Sequence, residues 1–263
     1  MFHAPWRIVM TARPKKSGTR FVSFSGMDGA GKSTQIEALR ARMEGDGWHV
    51  LLVRFWDDVA MLTQLREDAG HAIFKGDQGV GTPAAPKNRQ DKNVRSSLMT
   101  AVRLFLYSID AISTRFAVKK ALRSKADLVI FDRYIFDELA NLSLSNPAIR
   151  AFVWLIMMLV PRPHISYLLD AEPVKARARK PEYPLEFLYT NRQSYLTLND
   201  LIGGFTVICP MSIEEVQRTV LSYARKELSL SATRQREAGG VASIDDCEEQ
   251  SKLDNPQTGS AIL

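Results

Sequence analysis

The sequence is poor in cysteine and has no apolar run long enough to cross a membrane. Its two cysteines, Cys209 and Cys247, lie far apart and in no metal-ligand spacing, which fits a reducing cytoplasm. The nearest candidate for a membrane span, residues 151–160, is closed by Pro161 and is shorter than the roughly 18 apolar residues that a spanning helix needs. This run predicts a buried core helix instead. No internal repeat is visible.

Acidic residues are absent from the first 20 positions, which carry five basic residues. From about Ser229 onward, acids outnumber bases and aromatic residues are scarce. These compositions predict a flexible basic lead-in over residues 1–19, one folded domain over 20–228 and a disordered tail over 229–263. A nucleic-acid arm or an organelle address is the alternative for the lead-in. The net charge of +6 suits a protein that handles anionic small molecules.

Residues 26–33 fit the phosphate-binding pattern G-x-x-x-x-G-K-[ST] at every fixed position. They lie between an apolar run of strand length and a segment with helical apolar spacing, which is the context that this motif needs. Glycines let backbone N–H groups approach phosphate oxygens, Lys32 places a charge on the β- and γ-phosphates, and the Ser33 hydroxyl suits Mg²⁺. The predicted nucleotide-binding residues are Gly26, Met27, Asp28, Gly29, Ala30, Gly31, Lys32, Ser33 and Thr34.

Five apolar runs of strand length alternate with helical patterns, which is typical of an α/β fold with a parallel sheet. The runs cover residues 21–25, 48–55, 127–131, 165–170 and 204–209. Helices are predicted from Lys32 to the glycines at 45 and 47, over 94–124, over 148–160, and from a capping box at residues 212–215 to about residue 230. An apolar stripe runs along the predicted 94–124 helix and comprises Leu98, Val102, Phe105, Leu106, Ile109, Ile112 and Phe116.

Polar residues follow directly after two of these strands, where ligands bind in open parallel sheets. Asp57 and Asp58 follow the second strand and are candidates for contacting an acceptor or a metal-bound water, with a solvated turn as the alternative. Asp132 and Arg133 follow the third strand. A carboxylate there can assist Mg²⁺, and a guanidinium offers two parallel donors to a phosphate. The alternative for this second pair is a structural ion pair.

Two further segments are candidates for the substrate side. Residues 175–180 form a basic cluster, which predicts mobile cations that offset the charge spreading over a transferred phosphoryl group. A solvated helix face is the alternative. Residues 75–93 are rich in Gly, Pro, Lys, Asn and Asp, and so long a loop predicts a lid or a disordered segment.

These features, together and in this order, resemble thymidylate kinase, a nucleoside monophosphate kinase of the phosphate-loop superfamily. The resemblance covers roughly residues 20–225 and rests on residues 25–35, 129–134, 163–170, 186–187 and 194–195. It implies a three-layer α/β fold with a five-stranded parallel sheet flanked by helices. It also implies transfer of the γ-phosphoryl group of ATP, with Mg²⁺, to dTMP as the family's acceptor, by a protein that is often a homodimer.

The resemblance also implies roles for single residues. The lid would supply Arg177 and Arg179, because the loop has Gly29-Ala30 and no arginine of its own. The catalytic set is then Lys32, Asp132, Arg133, Arg177 and Arg179, with Ser33 and Asp132 at the metal. The acceptor-binding set is Asp28, Trp56, Asp57, Tyr107, Asp110 and Arg133.

The chain departs from the family pattern on the acceptor side. Residues 55–58 read Phe-Trp-Asp-Asp where the family has Glu-Pro-Gly-Gly. Tyr107 falls near the base-stacking position, but Asp110 falls where the family's arginine contacts thymine, and a carboxylate cannot donate to a thymine carbonyl. Asp137-Glu138 and Asn141-Leu142 replace Ser-Ser and Tyr-Gln. The alternatives are therefore a kinase for another small acceptor, an ATP-binding regulatory module, or a nucleic-acid binder that uses residues 1–20.

Overall fold

The computed structural model describes residues 18–60 and 97–229. The loop predicted over 75–93, nearly all of the lead-in and nearly all of the tail lie outside the described residues. The predicted boundaries of the folded domain therefore stay predictions.

Five strands form one parallel sheet, which confirms the predicted α/β fold. The strands are β1 (Arg20–Ser25), β2 (Val50–Arg54), β3 (Leu128–Asp132), β4 (Ile165–Leu169) and β5 (Phe205–Ile208), and they lie side by side in the order β2-β3-β1-β4-β5. Phe24 of β1 pairs in register with Asp132 of β3 and with Tyr167 of β4. The carboxyl ends of the three central strands therefore meet at one edge of the sheet, where ligands bind in such folds.

Helices connect the strands and cover both faces of the sheet. Within residues 18–60 and 97–229 they are α1 (Lys32–Gly45), α2 (Ser97–Leu122), α3 (Ile135–Leu139), α4 (Pro147–Leu159), α5 (Pro173–Arg179), α6 (Leu185–Ile202) and α7 (Ile213–Ser229), with a π-helical turn at Phe55–Val59. The capping box predicted before α7 is present. The backbone N–H of Ser212 donates to Glu215 Oε2 at 3.0 Å, and the N–H of Glu215 donates to Ser212 Oγ at 3.3 Å.

The strand side chains alternate between two cores, as the pleat requires. In β3, Leu128 and Ile130 pack with α1 and α7 on one face, whereas Val129 and Phe131 pack with the helices of the other face. Because both faces are covered, the strands are continuous apolar runs rather than alternating ones, which is why the sequence identified them.

Four residues of the apolar stripe of α2 lie on the exposed side of the helix. Val102, Phe105, Ile112 and Phe116 are 43%, 65%, 51% and 65% exposed. The buried face of α2 instead carries smaller and more polar side chains, namely Tyr107, Asp110, Ala111, Thr114, Val118 and Ala121. The helix has apolar residues on two sides, and the hydrophobic pattern alone selected the side that this chain leaves uncovered.

The prediction that residues 151–160 form a helix is confirmed, but burial of that helix is one-sided. Val153 and Ile156 are buried, whereas Trp154, Leu155 and Met158 are 46%, 50% and 74% exposed. These three residues and the exposed residues of α2 belong to helices that pack against each other. Among the described residues, no helix is both long and apolar enough to span a bilayer.

Candidate active site

The phosphate loop follows β1 and uses backbone conformations that only glycine adopts without strain. Gly26, Gly29 and Gly31 have φ angles of 135°, 81° and 91°. A Cβ atom at Gly26 would come within 2.5 Å of the Leu169 carbonyl oxygen, and one at Gly29 within 2.3 Å of the Ala176 carbonyl oxygen. The loop therefore needs glycine at these two positions because β4 and α5 press against it.

Lys32 lies inside the curve of this loop and is 7% exposed. Its ammonium donates hydrogen bonds to the carbonyl oxygens of Gly26 and Met27 at 2.7 and 2.9 Å. Burial, and secondarily the charge of Arg133, lowers the pKa of Lys32 to about 8. A bound polyphosphate would supply the negative charge that this buried ammonium needs.

The start of α1 fits a phosphate chain and its magnesium ion. The first hydrogen bond of the helix runs from the Gln35 N–H to the Gly31 carbonyl at 3.1 Å, so the preceding N–H groups are available to an anion. Ser33 is exposed in that first turn, and Asp132 ends the neighbouring strand β3. Burial raises the pKa of Asp132. In the described part of the chain, no cluster of three or more His, Cys, Asp or Glu side chains could hold a metal alone.

Arg133 occupies a strained position at the end of β3, with a φ angle of 67°. Its Nη2 donates to Asp28 Oδ1 in the phosphate loop, and its Nη1 donates to Asp137 Oδ1 at 3.2 Å. Burial opposes its charge, but Asp137 and Asp28 outweigh this and raise the pKa of Arg133. Burial likewise works against the charge of Asp28, and Arg133, Lys32 and Lys180 together hold the pKa of Asp28 below its usual value.

Sequence reasoning missed Asp137, which is 3% exposed and lies at the centre of this cluster. Its Oδ2 accepts hydrogen bonds from Ser25 Oγ at 2.7 Å and from the Tyr134 N–H at 3.2 Å. Its Oδ1 accepts from Tyr195 OH at 2.7 Å as well as from Arg133. The spacing of four residues between Arg133 and Asp137 at the start of a helix was the available signal. In the sequence alone, Asp137 is visible only as a departure from the family pattern.

Helix α5 carries the two arginines predicted to belong to a lid and is called the lid helix for that reason; it lies against the phosphate loop. Ala176 packs with Met27, Ala171 and Leu188 in a small apolar cluster, and Arg179 Nη1 donates to the Gly29 carbonyl at 3.2 Å. Lys180 follows the helix directly, and its Nζ lies 3.9 Å from Asp28 Oδ1 and 3.2 Å from Glu182 Oε2.

Arg177 is half-buried in the same turn of α5 and forms no hydrogen bond or ion pair with the described residues. Of the two predicted lid arginines, Arg179 is thus the one that forms a hydrogen bond with the loop among the described residues.

The acceptor residues predicted on β2 and α2 lie in different surroundings. Trp56 is 39% exposed and Asp57 is exposed, both in the π-helical turn. Asp58 accepts a hydrogen bond from the Arg54 N–H at 2.7 Å, which caps that turn. Tyr107 and Asp110 are 8% and 0% exposed on the inner face of α2. Of the predicted acceptor set, the structure thus brings Asp28 and Arg133 into contact. The acceptor-binding roles of all six residues stay predictions.

Helix α6 contributes a second contact that sequence reasoning missed. Arg192 donates from Nε and Nη2 to the two carboxylate oxygens of Asp170, at 2.7 and 2.6 Å. This paired geometry is the strongest form of a carboxylate–guanidinium contact, and the bond raises the pKa of Arg192. The end of β4 is thereby fixed to α6, the helix that also carries Tyr195.

No protein-family model matches the chain. Its curated relatives include a "Probable thymidylate kinase" of Pyrococcus abyssi, which is 29% identical over 221 residues spanning 79% of this chain and 97% of that protein. A "Probable thymidylate kinase" of Thermococcus gammatolerans is 28% identical over 220 residues, again 79% and 97% of the two chains. The "Thymidylate kinase" of Bifidobacterium longum strain DJO10A is 27% identical over 190 residues, 68% of this chain and 82% of the relative. Because these alignments take in at least 82% of each relative, the likeness extends far beyond the phosphate loop, and the chain is similar to thymidylate kinases over most of its length.

Proposed function

We propose that this protein is an ATP- and Mg²⁺-dependent nucleoside monophosphate kinase, with dTMP as its acceptor. The observation that carries the proposal is the contact between Arg133 and Asp28. It joins a complete phosphate loop to a cation at the end of the adjacent strand, with buried Lys32 beside both. A transferred phosphoryl group needs cations on its donor side and on its acceptor side, and this sheet edge offers both.

The reaction would proceed by in-line transfer, with catalysis by positioning and charge stabilisation. The loop N–H groups and Lys32 hold the β- and γ-phosphates of ATP, while Arg133 holds the phosphate of the acceptor. Arg177 and Arg179 offset the charge that spreads over the group in transfer. Mg²⁺, held by Ser33 and Asp132 together with the phosphates, would neutralise the negative charge that builds up on their oxygens.

Coupled ADP release tests this proposal. Purified protein with ATP and Mg²⁺ is assayed against dTMP, dUMP, dCMP, dGMP and UMP. We expect turnover with dTMP, and we expect Lys32→Ala and Arg133→Ala to abolish it while Asp46→Asn, at an exposed helix end, leaves it unchanged. Full activity in either of the first two variants would refute the role assigned to that residue.

The same panel separates the alternatives for the acceptor. Asp110 occupies the position where a contact with thymine needs a hydrogen-bond donor. Turnover with another nucleotide and none with dTMP would therefore identify that nucleotide as the acceptor. Tight ATP binding with no turnover across the panel would favour a non-nucleotide acceptor or an ATP-binding module.

We further propose that the protein is a homodimer whose subunits meet through α2 and α4. Support comes from the exposed apolar residues of these two helices, with Phe105, Phe116 and Met158 at 65%, 65% and 74% exposure. A cleft of about 410 Å³ lies beside them, lined by Phe116, Val118, Leu122 and Pro161 together with basic residues. A two-fold axis would place this surface against its own copy.

Sedimentation equilibrium tests the dimer. The wild type should sediment at twice the chain mass, and Phe116→Glu should shift it toward the monomer, because a charge would be buried at the contact. The exposed Tyr189 of α6, changed to Glu, is the matched control. A monomeric wild type would refute the dimer without affecting the proposed reaction.

A further inference from the structure

Asp137 is a buried carboxylate that receives hydrogen bonds from three separate parts of the chain. Ser25 lies at the end of β1, Arg133 and Tyr134 follow β3, and Tyr195 lies on α6. A carboxylate at 3% exposure is costly unless it is fully hydrogen-bonded, and here both of its oxygens accept two bonds.

We propose that Asp137 is a positioning residue, which fixes the guanidinium of Arg133 for the acceptor phosphate and links it to α6 through Tyr195. The inference rests on the proposed function, since it concerns how well the acceptor is held.

The geometry around Arg133 supports this role. Asp137 accepts from Nη1 and Asp28 accepts from Nη2, so the two carboxylates hold the planar guanidinium from two sides. A guanidinium has five N–H donors, and the donors that these two bonds leave over are the ones a phosphate can use. With Asp137 gone, one side of the fork would lose its support and the side chain could rotate about the Asp28 contact.

Tyr195 extends this arrangement to the lid. Its hydroxyl is buried and donates to the same oxygen, Oδ1, that holds Arg133. Helix α6 begins at Leu185, five residues after Lys180 at the end of the lid segment. The position of the helix that supports the lid is therefore tied to the position of the acceptor-side cation through one carboxylate.

The experiment measures steady-state kinetics with ATP and the acceptor varied separately. Asp137→Asn keeps the shape of the side chain but removes its charge. The amide N–H₂ group would also face side chains that donate hydrogen bonds to Asp137. We expect the acceptor kcat/KM to fall by about 100-fold, as a misplaced binding group typically causes, while the dissociation constant of ATP changes by no more than about two-fold.

Tyr195→Phe keeps the proposal testable if Asp137→Asn does not fold. It removes one hydroxyl from the cluster and leaves Asp137 and Arg133 paired, so we expect a fall of about 3- to 10-fold in the acceptor kcat/KM, mostly through KM. Tyr189→Phe, on the exposed side of the same helix, is the matched control and should be unchanged.

The outcomes separate the inference from the proposed function. An active wild type whose Tyr195→Phe variant keeps the wild-type acceptor KM and kcat would overturn the inference and leave the proposed function standing. Equal losses in ATP affinity and acceptor kcat/KM would also overturn it, because a general loss of structure acts on both substrates. A wild type that turns over no nucleoside monophosphate refutes the proposed function, and the inference falls with it.

Discussion

The phosphate loop and the cluster around Arg133 lie side by side but are built in different ways. The loop consists of consecutive residues, Gly26 to Ser33, and would bind phosphate mainly with backbone groups. The cluster consists of side chains from positions 25, 28, 133, 137 and 195. A site built from backbone groups is sensitive to changes in backbone conformation, whereas a site built from charged side chains is sensitive to changes in charge. Donor and acceptor should therefore respond to different substitutions.

The largest effect is expected from Lys32→Ala. The ammonium is buried in the loop, where the β- and γ-phosphates are proposed to bind. Turnover should fall by about 1,000-fold or more, since a preorganised charge partner is typically worth about 4 kcal/mol in the transition state. Coupled ADP release measures the loss, with Lys226→Ala on the exposed side of α7 as the control. A loss of less than ten-fold would contradict the position assigned to Lys32.

Arg133→Lys should affect the acceptor alone. A lysine keeps the charge but not the fork that bridges Asp28 and Asp137, so the acceptor kcat/KM should fall by about 10- to 100-fold with unchanged ATP affinity. Varying each substrate at saturation of the other separates the two effects. A parallel loss in ATP affinity would show that donor and acceptor sides are not distinct.

Gly29→Ala and Gly31→Ala compare two glycines within the loop. Both have positive φ angles, but a Cβ atom at Gly29 would collide with the Ala176 carbonyl, whereas one at Gly31 meets nothing within 4 Å. Gly31→Ala should thus destabilise the fold by about 1–2 kcal/mol through backbone strain alone. Gly29→Ala should cost more and also displace the lid. Thermal unfolding and ATP titration measure the difference, and equal effects would contradict the contact between lid and loop.

A pH dependence is expected as well. Lys32 has a pKa of about 8 in the fold against 10.5 for the free side chain, so above pH 8 the folded protein loses a proton that the unfolded chain keeps. The free energy of unfolding should therefore rise with pH between about 8 and 10.5 through this group, and ATP affinity should fall by at most ten-fold per pH unit. Titration calorimetry in buffers of different ionisation enthalpy measures the accompanying proton uptake. Lys32→Met, which does not titrate, should abolish both dependences.

The features that could be predicted from the sequence are those that depend on residues close together in the chain. The strands were identified because each is an apolar run buried on both faces, and the loop because its glycines and Lys32 are consecutive. The buried face of α2 was not identified, because Asp110 and Thr114 face the interior while Phe105 and Phe116 face outward. The role of Asp137 was missed for a related reason, since Ser25 and Tyr195 reach it from distant parts of the chain.

The conformation of the phosphate loop also depends on residues that are distant in the chain. This dependence has a consequence for the order of folding. Gly26 is pressed against Leu169, and Gly29 against Ala176, so the loop's conformation is completed by segments that are synthesised long after it. On a ribosome, a nascent chain that ends before β4 carries the entire motif and lacks the contacts that shape it. Such a chain should not retain nucleotide, because the loop acquires its binding conformation only when β4 and the lid dock, a step with high contact order.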